Sequence, residues 1–521
     1  MAQVILFGEG IDINVRPLAI YRLASHLRQK NITTQPIWAW KSLPDIIFQS
    51  ICEVYLNKDV QVVGISTTLL QFPLGNFWGM TNNEFSKRIA LIRAFAPNAK
   101  IVAGGSQIFH TPMDQIPLAN LIDIFVQGQG EEVLTAIVDA VTNKTLIRTI
   151  SVTPQITNQD IYPFNDFTTS GTFFSKEDHI IPGEAMSFEF ARGCIFKCSF
   201  CSYDLLGKKI GDYTKTKHTM REELIHNYNE HGTVDYVITD DLINDSEEKI
   251  NLLLDLTQSL PFKIYYSGYL RLDLLRRFPG TISKLKDSGL IGCFMGVETV
   301  NDQSGKAVGK GLGKERTTEA MEMLLEGWKQ QVFVETALIL GLPHDNTDTK
   351  FELIEWLKHP VVSKVTKSLT VNPLYINLSR SSDIDQDPAK FGYEVDSHNN
   401  WTTKNYSFQQ ARADVAAVYD FFASTRKYNK KYPAKINNFK LPYLLSLAED
   451  RNAVLDVLLN DHSDIWPTDE HWKIYFKNVA FKHRRQYLES LLGKHWKRIF
   501  KDPNNANLLN IMKREQNDRL N

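Results

Sequence analysis

Two series of short aliphatic runs, each run followed by a stretch of helical periodicity, constrain this chain more than any other feature. In the first series "QVILFG", "VQVVGIS", "AKIVAGG" and "IDIFVQG" are short and end in or near glycine. Between them "RPLAIYRLASHLRQK", "NEFSKRIALIRAFA" and "EEVLTAIVDAV" repeat apolar residues at helical spacing. That alternation is the signature of βαβ units around a parallel sheet. Its glycine-bearing strand ends, Gly64 to Thr68, Gly104 to Gln107 and Gly128 to Glu131, fall at the carboxyl edge, where doubly wound folds bind ligands.

The second series comprises "AMSFEFA", "VDYVITD", "FKIYYSG", "IGCFMGVE", "VFVETALILG" and "SLTVNPLYI", with helical patterns such as "TTEAMEMLLEGWKQQ" between members. Six βα units suggest a partial, open relative of the eight-unit barrel. Between the series, residues rich in Thr, Asn, Asp and Pro have weak periodicity and read as a connector. Beyond about residue 400 the patterns are helical. The expected fold is therefore α/β. Residues 1–145 form a Rossmann-like doubly wound parallel sheet and 146–183 the connector. Residues 184–380 form a partial (β/α)6 barrel and 381–521 a mostly helical region.

At 521 residues the chain exceeds what one core organises, and 43% apolar with 23% charged residues is an ordinary globular composition. A formal charge of −1 gives no global pull toward nucleic acid or anionic lipid. "MAQVILFGEG" reads as a first strand and not as an export signal, and no apolar run approaches the roughly 20 residues of a bilayer span. A soluble, cytoplasmic protein without membrane association is expected.

The stretch "EFARGCIFKCSFCSYDLLGKK" holds three of only five cysteines, Cys194, Cys198 and Cys201. Soft thiolates favour zinc, copper(I) or iron-sulfur clusters. A structural zinc site would want a fourth Cys or His at a familiar spacing, and the nearest following histidine is the distant His218. Three ligands on a four-iron cluster leave one iron open, which is useful only if another molecule binds there. The bland reading, buried cysteines that happen to fall together, sits poorly with their position. They directly follow the first barrel strand, in the kind of βα loop where barrel active sites lie.

With Gly193 before it and Phe200 inside it, this Cys-x3-Cys-x-Phe-Cys stretch resembles the signature of the radical S-adenosylmethionine (SAM) enzymes. The resemblance implies that Cys194, Cys198 and Cys201 hold a [4Fe-4S] cluster and that its open iron chelates the amino and carboxylate groups of SAM. It also implies that one-electron cleavage yields a 5'-deoxyadenosyl radical, with Phe200 on the adenine side. Later strand ends resemble further segments of the family. These are "GVET", Gly296 to Thr299, with Glu298 and Thr299 as hydrogen-bonding candidates, and "LILGLP", where Gly341 permits close approach to adenine. At the second strand end Asp240 or Asp241 is expected to face the cofactor; Ser267 and Arg271 are weaker candidates, Arg271 either binding a carboxylate or forming a structural ion pair.

The N-terminal loops resemble the cobalamin-binding domain fused ahead of many radical SAM proteins. The resemblance carries contact roles onto Ser66, Thr67, Thr68, Gly104, Gly105, Ser106, Gln107, Gly128, Gly130 and Glu131. The Asp-x-His-x-x-Gly motif that ligates cobalt from below in mutases is missing from residues 1–145, and His110 stands at the wrong spacing for it. The other reading of this domain is a Rossmann-like fold without ligand.

Cys52 and Cys293 alone cannot hold a second cluster, so sulfur insertion is not expected. Domain order favours cobalamin-dependent methyl transfer to an unactivated carbon. A cobalamin-associated rearrangement or cyclisation and a non-catalytic sensor are the alternatives. The resemblance implies an electron donor such as flavodoxin or ferredoxin. From His471 onward twelve Lys or Arg stand against four Asp or Glu, interleaved with Trp472, Tyr475, Trp496 and Phe500. Nucleic-acid binding fits such a pattern, but an amphipathic helix with its aromatics in the core is favoured.

Overall fold

The protein is described by a computed structural model. The description takes in all residues except 1, 11–15, 39, 42, 69–76, 146–154, 158–166, 202–212, 379–381, 426–439, 449, 460–467, 506, 511 and 514–521. Two compact units result, one from Met1–Ser187, Glu222–Thr233 and Lys477–Asn521, the other from Phe188–Arg221 and Val234–Phe476. The helical residues beyond 381 are thus divided between the units and do not make a body of their own.

In the first unit six strands, β1 (Val4–Gly8), β2 (Thr34–Trp38), β3 (Val62–Ser66), β4 (Lys100–Gly104), β5 (Ile124–Gln127) and β6 (Gln155–Thr157), pair in the order β2-β1-β3-β4-β5-β6. All pairings are parallel. The order reverses between β1 and β3, as a doubly wound fold requires. Val4, Ile5 and Phe7 are fully buried, which explains the unbroken aliphatic runs of a sheet covered on both faces. Strand β2 was hidden in the sequence by Gln35 and Pro36; it lies at the sheet edge, where a missing N–H is tolerated. Strand β6 falls within the stretch read as connector.

The helix Thr468–Leu492 belongs to this unit from Lys477 onward, and its Tyr487 hydroxyl accepts the Trp38 N–H at 2.9 Å. Beside it the buried Arg16 donates to both oxygens of Glu184, at 2.6 and 3.0 Å, and to the Tyr21 hydroxyl at 2.7 Å. Its guanidinium stacks over Tyr487. Trp496 and Ile499 are buried on the following basic helix Lys494–Lys501, and the half-buried Phe500 packs on Trp496; the side chains of Trp472 and Tyr475 lie outside those described.

The second sheet runs β7 (Met186–Phe188), β8 (Asp235–Ile238), β9 (Tyr265–Arg271), β10 (Leu290–Glu298), β11 (Phe333–Leu340) and β12 (Thr366–Pro373), each beside its successor. These are the six strands expected, and β7 and β12 remain edges, so the barrel is open. Its amino-terminal end is plugged by Leu441, Leu444, Leu445, Val454 and Leu459 packed on Ile291 and Phe333. Arg451 locks the plug, with Nη1 2.6 Å from Asp235 Oδ2 and its guanidinium over the Tyr265 ring. The plug leaves the carboxyl end of the barrel for function. No helix among the described residues is long and apolar enough to cross a membrane.

Candidate active site

The cysteines lie on the excursion that follows β7, closed at its base by pairing of Ala191 with Thr214. Lys215 donates to the Phe190 carbonyl and Arg192 to that of Tyr213, both at 2.9 Å. Asp240 fastens the same root, because its Oδ1 accepts the N–H groups of Phe190 and Ala191 at 2.8 and 2.9 Å. Lys249 Nζ lies 3.1 Å from Asp240 Oδ2 and 3.4 Å from Asp245, whose carboxylate accepts the Tyr213 hydroxyl at 2.9 Å. Gly193 has φ of 99°, a conformation that other L residues adopt at a cost, and there the chain turns into the cysteines.

Cys194, Cys198, Phe200 and Cys201 border one cavity of about 310 Å³ at the carboxyl end of the barrel strands. Arg271, Gly296 and Glu298 border it too, with Asp241, Tyr269, Phe294, Lys310, Thr370 and Asn372. Among the described residues no three His, Cys, Asp or Glu stand close enough to hold one metal ion. Three thiols bordering one cavity are the donor type of an iron-sulfur cluster. Burial pushes the Cys194 thiol up, and Asp241 adds to it.

Arg271 forms the structural ion pair and also borders the cavity. It is bidentate to Asp273 at 3.0 and 2.7 Å, and its Nη1 donates to Cys198 Sγ at 3.4 Å while the guanidinium covers the Phe196 ring at 4.2 Å. Burial works against its charge, yet Asp273 outweighs it and raises its pKa. A fixed cation beside thiolates lowers the cost of gathering negative charge.

Glu298 ends β10 with φ of 65°, rare for a residue with a side chain, and a register shift separates Gly296 from Glu298 along β11. Bulge and left-handed residue together leave both Gly296 and Glu298 on the cavity. Strain of this kind collects at functional sites. Lys310, not anticipated from the sequence, sits 2.6 Å from Glu298 Oε1; its surroundings "VGKGLGK" carry glycines that mark a loop and nothing more specific.

Four expected residues stand elsewhere. Asp240 faces the loop root and its neighbour Asp241 the cavity, both just beyond the end of β8 at Ile238. Ser267 is buried on β9 two residues below Tyr269, one step deeper than the cavity wall. Thr299 accepts the Asn301 N–H at 3.0 Å and is not part of that wall. Gly341, with φ of 94°, is also not part of that wall, and a Cβ there would lie 2.3 Å from the Trp401 ring.

At the carboxyl edge of the first sheet, Ser66, Thr68, Gly104, Gly105, Ser106, Gln107 and Gly128 are half-buried along neighbouring strand ends. Thr67 is fully buried, and its N–H and hydroxyl both donate to the Gly104 carbonyl, at 2.7 and 2.8 Å. Ser106 N–H donates to Thr68 Oγ1 at 3.2 Å. Glu131 departs from the expected role, since it is buried with Arg22 Nε 3.4 Å away, and a Cβ on Gly130 would meet Leu23 at 3.0 Å. Both serve the seating of the helix Leu18–Gln29.

Residues 188–357 match the Radical SAM superfamily. The uncharacterized methyltransferase PH0819 of Pyrococcus horikoshii is 23% identical over 331 residues, 60% of this chain and 67% of that protein. Two further curated relatives are matched over 46% and 43% of their own lengths. Among solved structures, the radical S-adenosylmethionine methyltransferase TsrM of Kitasatospora setae, with tryptophan and a SAM analogue bound, has a TM-score of 0.60 at 14% identity. That likeness covers 85% of this chain and 95% of TsrM. The cobalamin-dependent S-adenosylmethionine radical enzyme OxsB gives 0.58 at 14% identity, covering 100% of this chain and 84% of OxsB. At such identities the structural likenesses establish the fold. With the motif and the family match in agreement, residues 188–357 are a Radical SAM superfamily domain that follows a Rossmann-like N-terminal unit.

Proposed function

We propose that this protein is a radical SAM methyltransferase that uses cobalamin to deliver a methyl group to an unactivated carbon. The observation that carries the reading is the single cavity bordered by Cys194, Cys198, Cys201, Arg271, Glu298 and Lys310. Its chemistry fits a [4Fe-4S] cluster with SAM, as thiolates, a cation beside them and a paired acid and base stand on one wall. Once bound, such a cluster supplies one electron to the sulfonium of SAM. The protein's own work is placement. The three thiolates hold the metal, Arg271 offsets their charge, and Glu298 with Lys310 offers an acceptor and a donor to the amino and carboxylate groups. Tyr269, Phe294 and Phe200 keep water from the reacting carbon.

Cobalamin is assigned to the carboxyl edge of the first sheet, where Ser66, Thr68, Gly104, Gly105, Ser106, Gln107 and Gly128 supply small and amide groups along adjacent loops. Support comes from the full-length fold likeness to OxsB and from the methyltransferase names of PH0819 and TsrM. A reductant of the flavodoxin or ferredoxin class is required for the electron.

Anaerobic reconstitution tests the reading by iron and cobalt content and by products from SAM. About four iron and one cobalt per chain, with a methylated product, are expected. Cobalt with 5'-deoxyadenosine and no methyl transfer points to rearrangement or cyclisation. Iron without SAM cleavage under strong reductant overturns the enzyme. In Cys198→Ala iron uptake and turnover are both expected to vanish; either one persisting removes the ligand assignment.

A further inference from the structure

We propose that the segment following β12, residues 382–411, is a positioning element that holds the second half of the cysteine loop, Ser199 to Cys201, in place before any metal arrives. The purpose given to it rests on the cluster reading above, but the clamp itself is a property of the metal-free chain.

The backbone of Ser199 is gripped on both sides. Its N–H donates to the Val308 carbonyl at 3.2 Å and its carbonyl accepts the Ile384 N–H at 2.9 Å. Ile384 is the second residue of the short helix Asp383–Gln386, a position whose N–H has no acceptor within the helix and is therefore available to the loop. The neighbouring Phe200 packs against the cluster formed by Val308, Leu342, Leu374, Ile384, Tyr393 and Trp401 with others.

The segment is anchored to the barrel without help from the loop, so it can serve as a fixed reference. The buried Trp401 donates its indole N–H to the Leu374 carbonyl at 2.7 Å and fills the space left bare by Gly341. Tyr393 donates to the Gly341 carbonyl at 2.7 Å. Tyr406 donates to Asp414 Oδ2 at 2.8 Å, and Asp414 in turn pairs with Lys350 at 2.7 Å.

The first half of the cysteine loop has a separate holder, the Arg271 guanidinium over Phe196 and on Cys198 Sγ. Cys198 thus lies between two clamps. One comes from within the matched superfamily region and one from beyond its end at residue 357. Ordering the loop in advance lowers the entropy lost when its thiolates are gathered.

Alkylation of the metal-free full-length protein by iodoacetamide, read cysteine by cysteine by mass spectrometry, tests this. Ile384→Ala removes the side chain and keeps the N–H; Ile384→Pro removes both. Cys201 is expected to label at least about fivefold faster in Ile384→Pro than in Ile384→Ala, with Cys194 at its wild-type rate. Cys52 and Cys293, both fully buried, stay unlabelled while the fold is intact. Equal Cys201 rates in the two variants overturn the clamp. If Ile384→Pro exposes Cys293, the comparison passes to Trp401→Phe against wild type, and an unchanged Cys201 rate there overturns it equally. Wild-type protein that takes up no iron while the labelling contrast holds defeats the cluster reading and leaves the clamp standing.

Discussion

Lys310 Nζ lies 2.6 Å from Oε1 of Glu298 on the wall of the cavity that the cysteines border. The two residues are twelve apart in sequence and meet because β10 ends in a bulge and a left-handed turn. Lys310→Met keeps the stem and removes the charge. It is expected to weaken SAM binding to the iron-loaded protein about tenfold, or about 1.4 kcal/mol, with iron content unchanged. Glu298→Gln should do the same, and the double variant should be no worse than the poorer single, since the pair acts as a unit. Equilibrium dialysis with labelled SAM reads all three; unaltered affinity in both singles removes the pair from the site.

Asp240 secures the root of the cysteine loop, so its loss is a matter of folding before function. Asp240→Ala leaves two buried N–H groups without their acceptor and Lys249 with Asp245 as its remaining carboxylate neighbour. A cost of about 3–5 kcal/mol is expected from breaking a buried pair of this kind. Asp240→Asn, which keeps an acceptor for the loop, should lose less. Thermal melting followed by circular dichroism, with iron uptake measured alongside, distinguishes the two; equal behaviour means that the loop root does not depend on Asp240.

Gly341→Ala asks whether the bare backbone serves Trp401. Its φ of 94° and a Cβ 2.3 Å from the indole combine backbone strain with overpacking. Together these are expected to destabilise the second unit by about 2–4 kcal/mol and to alter Trp401 fluorescence. Trp401→Ala in the same background should recover part of the loss by removing the clash. Additive losses would mean that the two residues do not meet.

Acid sensitivity of the first unit should trace to Glu184. Burial alone would push its carboxyl up, but the Arg16 charge, with His483 beside it, outweighs burial and holds the pKa down to about 2. With the folded value below the unfolded one, the ion pair contributes fully above the ordinary carboxylate range. Its contribution fades as pH falls from there toward about 2. A difference of that size amounts to about 3 kcal/mol. In Glu184→Gln the melting temperature should be lower at pH 7 and fall less steeply between pH 5 and 3 than in wild type. Parallel slopes would discharge Glu184 from this role.

Much of the architecture was legible because it is written in local patterns. Glycine-ended aliphatic runs mark four of the six strands of the first sheet, and short apolar runs alternating with helical patterns mark all six of the second. Strand β2 was not legible, since Pro36 and Gln35 carry no strand signal and only its edge position makes them acceptable. The cysteine triplet pointed to the cavity, and Phe200, Gly296, Glu298 and Arg271 line it as well. Thr299, Ser267 and Gly341 stand off its wall, though each lies within two or three residues of a position that is on it. Sequence proximity to a motif does not tell which face of a strand end a side chain takes.

The order of elements, the period of each and the gathering of three thiols in one βα loop were determined by sequence alone, because each depends on residues within about a dozen positions of one another. Tertiary structure decided that Asp241 and not Asp240 meets the cavity, that Glu131 is occupied by Arg22, and that Lys310 belongs with Glu298. It also decided that the chain beyond 381 divides between two units. Those outcomes depend on burial and pairing between residues far apart in the chain, where the cost of leaving a charge or an N–H unsatisfied is settled only once the partners are brought together.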